Sequence, residues 1–190
     1  GVQNAMTDFC KTWSDLSTSA STSSNRTAVI EKGKTFADRV STAATQMQNQ
    51  ITANYDDLKL NVDKVNDITS QIVTLNKNIA SLEASGATAN DLRDQRDNLA
   101  DQLSTYTNIN VYEDSNGMYT IVSNGNSLVN GINKLNLALS KPTSNATYGV
   151  NDYSLQIKET GTAFTAGSGI LQAEQDSVVE DKGYIDKLSN

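Results

Sequence analysis

Six charged side chains crowd one short stretch: Asp91, Arg93, Asp94, Arg96, Asp97 and Asp101. Paired carboxylates of this kind can do general acid–base chemistry when one is held protonated and its neighbour ionised. On a helix, however, Asp94 and Asp97, or Asp97 and Asp101, are simply neighbours on one surface. Arg93 and Asp97 would then form an i, i+4 ion pair worth about 0.2–0.5 kcal/mol. We therefore read the group as structural. Asp114-Ser115-Asn116-Gly117 has part of a calcium loop but neither the length nor the closing Glu of one, and reads as a turn. Gly167-Ser168-Gly169 precedes a helical pattern without the Lys-Ser/Thr of a phosphate loop, and reads as a linker.

The remaining reactive types are few. Histidine is absent and cysteine occurs once. Cys10 has no partner for an intramolecular disulfide and no histidine to activate it, so it reads as a small apolar residue near a helix seam. Asn25-Arg26-Thr27 and Asn145-Ala146-Thr147 fit the glycosylation triplet, which matters only in a secretory context. No catalytic, cofactor or metal residue is assigned, and the chain is not read as an enzyme. The formal charge of −7 over 190 residues argues against a phosphate-binding surface. Acidic residues outnumber basic ones on both sides of residue 107, so neither part binds nucleic acid by charge. No apolar run is long enough for a membrane span, and no charged-then-apolar leader opens the chain.

The elements that must position these side chains are helical first. From Lys34 to Glu83 there is no Gly or Pro, and Ala37, Ala44, Ile51, Leu58, Val65, Ile72 and Ile79 recur every seventh residue. A second row, Val40, Met47, Ile68, Leu75 and Leu82, completes an a/d stripe. Such a helix would run about 75 Å at about 1.5 Å per residue, which implies an elongated protein. Two d positions hold Asn54 and Asn61, with Tyr55 and Val62 one residue along. These asparagines either set helix register or face water where the stripe rotates, and the rotation marks a change of packing partner or a break into two helices.

Before that helix, Val2, Met6, Phe9, Trp13 and Leu16 form one helical face that ends in the Ser/Thr-rich stretch from Ser17 to Ser24. Asn25 or Thr27 could cap the long helix, and Gly33 is a weak point. After it, Ser85-Gly86 supplies a C-cap, and Thr88 with Asp91, or Asn90, restarts a helix whose inner face is given by Leu92, Leu99 and Leu103, with Arg96 between them. That helix should return antiparallel along Ile72, Leu75, Ile79 and Leu82. Beyond Tyr106 the period becomes two. Ile109–Glu113 and Met118–Val122 flank the Asn116-Gly117 turn, Asn124-Gly125 and Asn130-Gly131 add two more, and Leu135–Leu139 and Tyr153–Lys158 read as strands. Leu171, Val178, Ile185 and Leu188 restore helical spacing. The domains expected are a helical bundle over 1–107, a β-rich outer domain over 108–165 and a returning helix over 166–190.

VNDITSQIVTLNKNI (Val65–Ile79), a Gly-containing link and NDLRDQRD (Asn90–Asp97) resemble the pattern of the flagellar hook-associated protein 1 family, junction proteins between hook and filament. NGNSLVNG (Asn124–Gly131), the opening from Phe9 to Leu16 and the segment from Gly169 to Leu188 are similar to that family as well. Arg93 departs from the family pattern, which is apolar there. The resemblance implies a central fragment without the family's terminal segments, and an extracellular flagellar protein exported without a cleaved signal peptide. It implies partners that are copies of itself, the hook protein and the second junction protein, with the isolated fragment a monomer. It also implies that Asp94, Arg96 and Asp97 pin the helical hairpin or meet a neighbouring subunit. The fold class expected is α+β: an elongated antiparallel helical bundle with long helices, carrying a small β-rich domain. The rival reading is an extracellular adhesion or sensory module on a helical stalk, with Tyr112, Tyr119, Tyr148 and Tyr153 lining a pocket.

Overall fold

A computed structural model describes residues 1–189. The chain is α+β: helices α1 (Val2–Thr18), α2 (Ser23–Ala84), α3 (Asn90–Tyr106) and α4 (Gly169–Ser189) enclose eight short strands in sequence order. By contacts it divides into two compact units, residues 1–51 with 181–190, and residues 52–180. In the first unit, α1 lies along the start of α2. Phe9 stacks on Phe36 at 6.3 Å between ring centroids and lies 6.1 Å from Trp13. Gly33 does not interrupt the helix. Its place is set by that stack, because a Cβ there would come within 3.2 Å of the Phe9 ring.

The long helix runs unbroken for 62 residues and begins at Ser23, before either expected cap, Asn25 or Thr27. Its stripe differs from the a/d reading. The buried rows from Ile51 onward are Ile51, Leu58, Val65, Ile72 and Ile79, and beside them Tyr55, Val62, Thr69 and Asn76. Most of the second row thus lies one residue beyond the expected d positions, although Ile68, which is one of them, is buried as well. Leu75 is only half-buried and Leu82 is 38% exposed. Upstream, Phe36, Val40, Ala43, Ala44, Met47 and Gln48 are half-buried, and Ala37, an expected stripe position, is exposed. Thr69 and Asn76 disguise the true row because they are polar, yet both are almost fully enclosed.

In the second unit, Gly86 (φ 86°) ends α2, its N–H bonding the Glu83 carbonyl at 2.9 Å. Neither Thr88 nor Asn90 caps α3: the N-cap is Ala89, which makes no side-chain bond and is buried. Apolar packing takes the place of a cap there. The inner face of α3 is Arg96, Ala100 and Leu103, with Leu92 and Leu99 half-buried.

The strands β1 (Asn110–Glu113), β2 (Tyr119–Ser123), β3 (Asn126–Asn130) and β4 (Asn133–Lys134) form one antiparallel meander in sequence order. β5 (Leu137–Leu139) pairs β8 (Leu155–Ile157), and the hairpin of β6 (Thr143–Asn145) and β7 (Val150–Asp152) is inserted between them. The expected strand Leu135–Leu139 is therefore split. Leu135 bonds back to Leu128, and the Asn136 N–H turns to the Glu159 carboxylate while its carbonyl accepts the Lys158 N–H, so the strand ladder proper begins at Leu137. Tyr153 likewise leaves the expected strand Tyr153–Lys158, its ring meeting Tyr55 edge-on at 5.0 Å.

Ile72→Ala should lower stability in urea denaturation by about 2–5 kcal/mol, whereas Leu82→Ala should cost less than about 1 kcal/mol. Equal losses would contradict the shifted stripe.

Candidate functional site

Among the residues that attract attention by charge, Arg96 reaches the sheet and its turn, while Arg93 lines a cleft with Glu83, Glu113 and the Asp114–Gly117 turn. Arg96, on the inner face of α3, has no exposed side-chain surface. Its guanidinium donates to Asn76 Oδ1 at 3.0 Å, to the Gly117 carbonyl at 2.5 Å and to Glu113 Oε1 at 3.3 Å. Its Cζ lies 3.4 Å from the centroid of the Tyr119 ring. A fixed planar fork of donors is what this geometry needs, which is why arginine and not lysine suits it.

Asn76, on α2, completes the arrangement. Its Nδ2 donates to the Tyr119 and Gly131 carbonyls at 2.9 and 2.8 Å, and its Oδ1 accepts the Tyr119 N–H at 2.9 Å. A side-chain amide thereby pairs with both backbone groups of Tyr119 as a neighbouring strand would. Ten residues earlier Asn66 repeats the device on β5: Nδ2 donates to the Leu137 carbonyl and Oδ1 accepts its N–H, both at 2.8 Å. Two helix asparagines thus satisfy strand groups that burial would otherwise leave unpaired.

Around this buried core lies a half-exposed rim. Arg93 forks onto Glu83 at 2.7 and 2.8 Å and also pairs with Glu113, which bridges it to Arg96. The expected i, i+4 pair of Arg93 with Asp97 does not form, because the two glutamates offer a better fork. The hydrogen bond from Arg93 holds the Glu83 carboxyl below its ordinary pKa, and the two carboxylates raise that of Arg93. Asp97 instead accepts the Tyr119 hydroxyl at 2.5 Å, and burial followed by this carboxylate pushes the phenol up. Asp94 is exposed and borders a groove with Ser70, Thr74, Leu75, Asn98 and Leu99. Asp91 and Asp101 are exposed too, so the four aspartates do not converge on one point.

The two stripe asparagines separate in their surroundings. Asn54 is half-buried on α2. Asn61 Nδ2 donates to Glu174 Oε1 of α4 at 2.5 Å, while Lys64 reaches Asn61 Oδ1 at 3.3 Å. Glu174 Oε2 is enclosed without a hydrogen-bond partner, and burial raises this carboxyl above its ordinary value. Asn66, Asn76, Glu83 and Glu113 were not singled out by sequence reading. For Asn76 and Glu83 the signal available was polar residues falling on the Tyr55–Val62 row of an otherwise apolar helix face; Asn66 and Glu113 lie off that row.

The model of the "Flagellar hook-associated protein FlgK helical domain" family matches residues 1–188. The chain belongs to this family. It is 30% identical to flagellar hook-associated protein 1 of Bacillus subtilis (strain 168), over 97% of this chain and 39% of that protein. It is 31% identical to the protein of the same name from Escherichia coli (strain K12), over 70% of this chain and 25% of that protein. The chain thus spans well under half the length of these relatives. Its fold matches the solved flagellar hook junction protein FlgK of Burkholderia pseudomallei with a TM-score of 0.79 at 24% identity, over 93% of this chain and 33% of that one. Among the described residues, no helix is long and apolar enough to cross a membrane.

Arg96→Ala should destabilise the 52–180 unit by about 3 kcal/mol or more in denaturant, because it leaves the buried Gly117 carbonyl without its donor and takes one of two donors from Asn76 Oδ1. Arg96→Lys should recover little of this.

Glu174 gives a pH signature. Its pKa is raised on folding, so the folded chain binds more protons than the unfolded one between the ordinary and the raised value. Stability from this group is therefore fully present below the ordinary carboxylate range and is lost as pH rises through the folded value. Glu174→Gln should raise the melting temperature near neutral pH, with the gain vanishing toward about pH 4. A gain that grows on acidification would contradict the assignment.

Proposed function

We propose that this chain is a structural part of the bacterial flagellum at the hook–filament junction, acting by subunit packing and not by catalysis. The single observation that carries the reading is the family match over residues 1–188, joined to relatives named hook-associated protein 1. The internal chemistry supports it. Arg96, Asn76, Asn66 and Glu113 spend their polar groups on the protein's own backbone and side chains, which suits a stiff packing element. The proposed neighbours are copies of the same chain, the hook protein and the second junction protein, in an exported assembly outside the cell. In this reading residues 1–107 and 166–190 supply the helical layer and residues 108–165 the outward β-rich part. Asp94, exposed beside the Leu75–Leu99 groove, is the candidate for a contact with a neighbouring subunit, and Arg96 and Asp97 hold the hairpin behind it.

No observation favours the adhesion reading. Tyr119 is engaged by Arg96 and Asp97, Tyr153 packs on Tyr55, and Tyr112 stands exposed on β1. Deleting the gene for the full-length protein should leave hooks without attached filaments in electron micrographs, with re-expression restoring them. Normal filaments on the deletion strain would overturn the proposal. Sedimentation of this chain alone should show a monomer, and a tight oligomer would contradict an assembly that depends on the missing parts of the relatives.

A further inference from the structure

The three Asn-Gly pairs of the β-rich part are chemically unequal. An asparagine followed by glycine modifies itself when the glycine amide nitrogen, having given its proton to solvent, bonds to the asparagine Cγ. The bond from Cγ to the side-chain nitrogen breaks, and that nitrogen leaves as ammonia with a proton taken from water. Water then opens the cyclic imide at either carbonyl, giving aspartate or its β-linked isomer. The attacking nitrogen must be free of hydrogen bonds, and the backbone around it must be able to move.

Two pairs are blocked on this count. The Gly117 N–H donates to the Asp114 carbonyl at 3.0 Å, and the Gly117 carbonyl is held by Arg96. The Gly131 N–H donates to the Tyr119 carbonyl at 3.2 Å, and the Gly131 carbonyl is held by Asn76. Freeing either nitrogen means dismantling the buried Arg96–Asn76 arrangement. The third pair differs. Asn124-Gly125 is the exposed two-residue turn between β2 and β3, with φ of 43° and 79°, and among the described residues the Gly125 N–H has no acceptor. Within the hairpin the turn is closed by the Ser123–Asn126 pair and a long bond from Asn126 Nδ2 to the Asn124 carbonyl at 3.3 Å, and what ties the Asn124 side chain down is one bond, from its Nδ2 to the Thr165 carbonyl at 2.7 Å. Gly167 makes that bond possible: at its φ of 74°, a Cβ would stand 2.4 Å from Asn124 Nδ2.

We propose that Asn124 is a self-modification site, deamidated through Gly125 whenever the turn comes off Thr165, and that the change cannot be undone by reclosing. The nitrogen expelled is the one that made the bond. The product places a carboxylate against the Thr165 carbonyl, two acceptors with no proton between them. The β-linked isomer also lengthens the backbone of a two-residue turn whose geometry sets the β2–β3 register. The linker between β8 and α4 then loses its tie to this turn, while the Ala166 carbonyl stays held by Thr107 Oγ1 and the Asn108 N–H.

The test is peptide mass mapping of the intact folded chain aged at mildly alkaline pH. Asn124 should deamidate first, ahead of Asn116 and Asn130. Gly167→Ala, which displaces the Asn124 amide, should raise the Asn124 rate roughly tenfold, the open-state gain from losing one hydrogen bond of ordinary strength. The rates at Asn116 and Asn130 should not change. Faster loss at either of those two in the wild type, or an unchanged Asn124 rate in Gly167→Ala with the fold intact, overturns the proposal. If Gly167→Ala unfolds the chain, all three rates rise together and the wild-type order alone decides.

Discussion

A short sheet laid against a helix leaves backbone groups that neither water nor a further strand can reach. The 52–180 unit depends on how those groups are satisfied. Asn76 and Asn66 present side-chain amides to strand backbone, and Arg96 takes the carbonyl of the β1–β2 turn. An unpaired buried polar group costs on the order of 1–3 kcal/mol, comparable with the whole contribution of a large apolar side chain. The polar residues on α2 are therefore as structural as its isoleucines, and the long helix acts as a template that fixes where each sheet sits within that unit.

This requirement also explains the shape of the apolar stripe. A coiled-coil seam needs an apolar residue at every a and d position. Here the partner of α2 is a mixture of helix and sheet, and the row facing the sheet carries Tyr55, Val62, Thr69 and Asn76. Apolar side chains at the neighbouring d positions, Leu75 and Leu82, are left partly outside. The charged rim follows the same logic. Glu113 serves Arg93 and Arg96 together, so a half-exposed ion cluster screens the edge of a buried one. Exposed pairs such as Lys32 with Asp8 add little by comparison.

In this member of the hook-associated family, Arg93, Arg96 and Glu113 are occupied internally. The 52–180 unit is held by a few enclosed polar contacts in which Arg96, Asn76 and Asn66 meet its own backbone. Asn61 and Glu174 are the discordant pair. A carboxyl oxygen enclosed without a partner is a local cost, and it ties the packing of α4 on α2 to pH.

Much of this was legible in the chain itself. The heptad recurrence from Ala37 to Ile79, the Gly86 stop, the Asn-Gly turns and the return to helical spacing at Leu171 follow from local periodicity and backbone preference, which need no knowledge of partners. Local signals therefore determined the α+β class, the element order and the family resemblance. They did not determine which polar residues are buried. Asn76 and Thr69 look like interruptions, Leu75 and Leu82 like core, and Asp94 and Arg96 like members of one surface group. Only the folded unit separates them, because a buried amide is tolerated solely where another element brings backbone acceptors and donors within about 3 Å, and no spacing along one helix can reveal that. The charge cluster changes meaning for the same reason: once β1 and its turn are folded over α3, Arg96 is enclosed and Arg93 is shared between two glutamates, while the four aspartates stay on the exposed side.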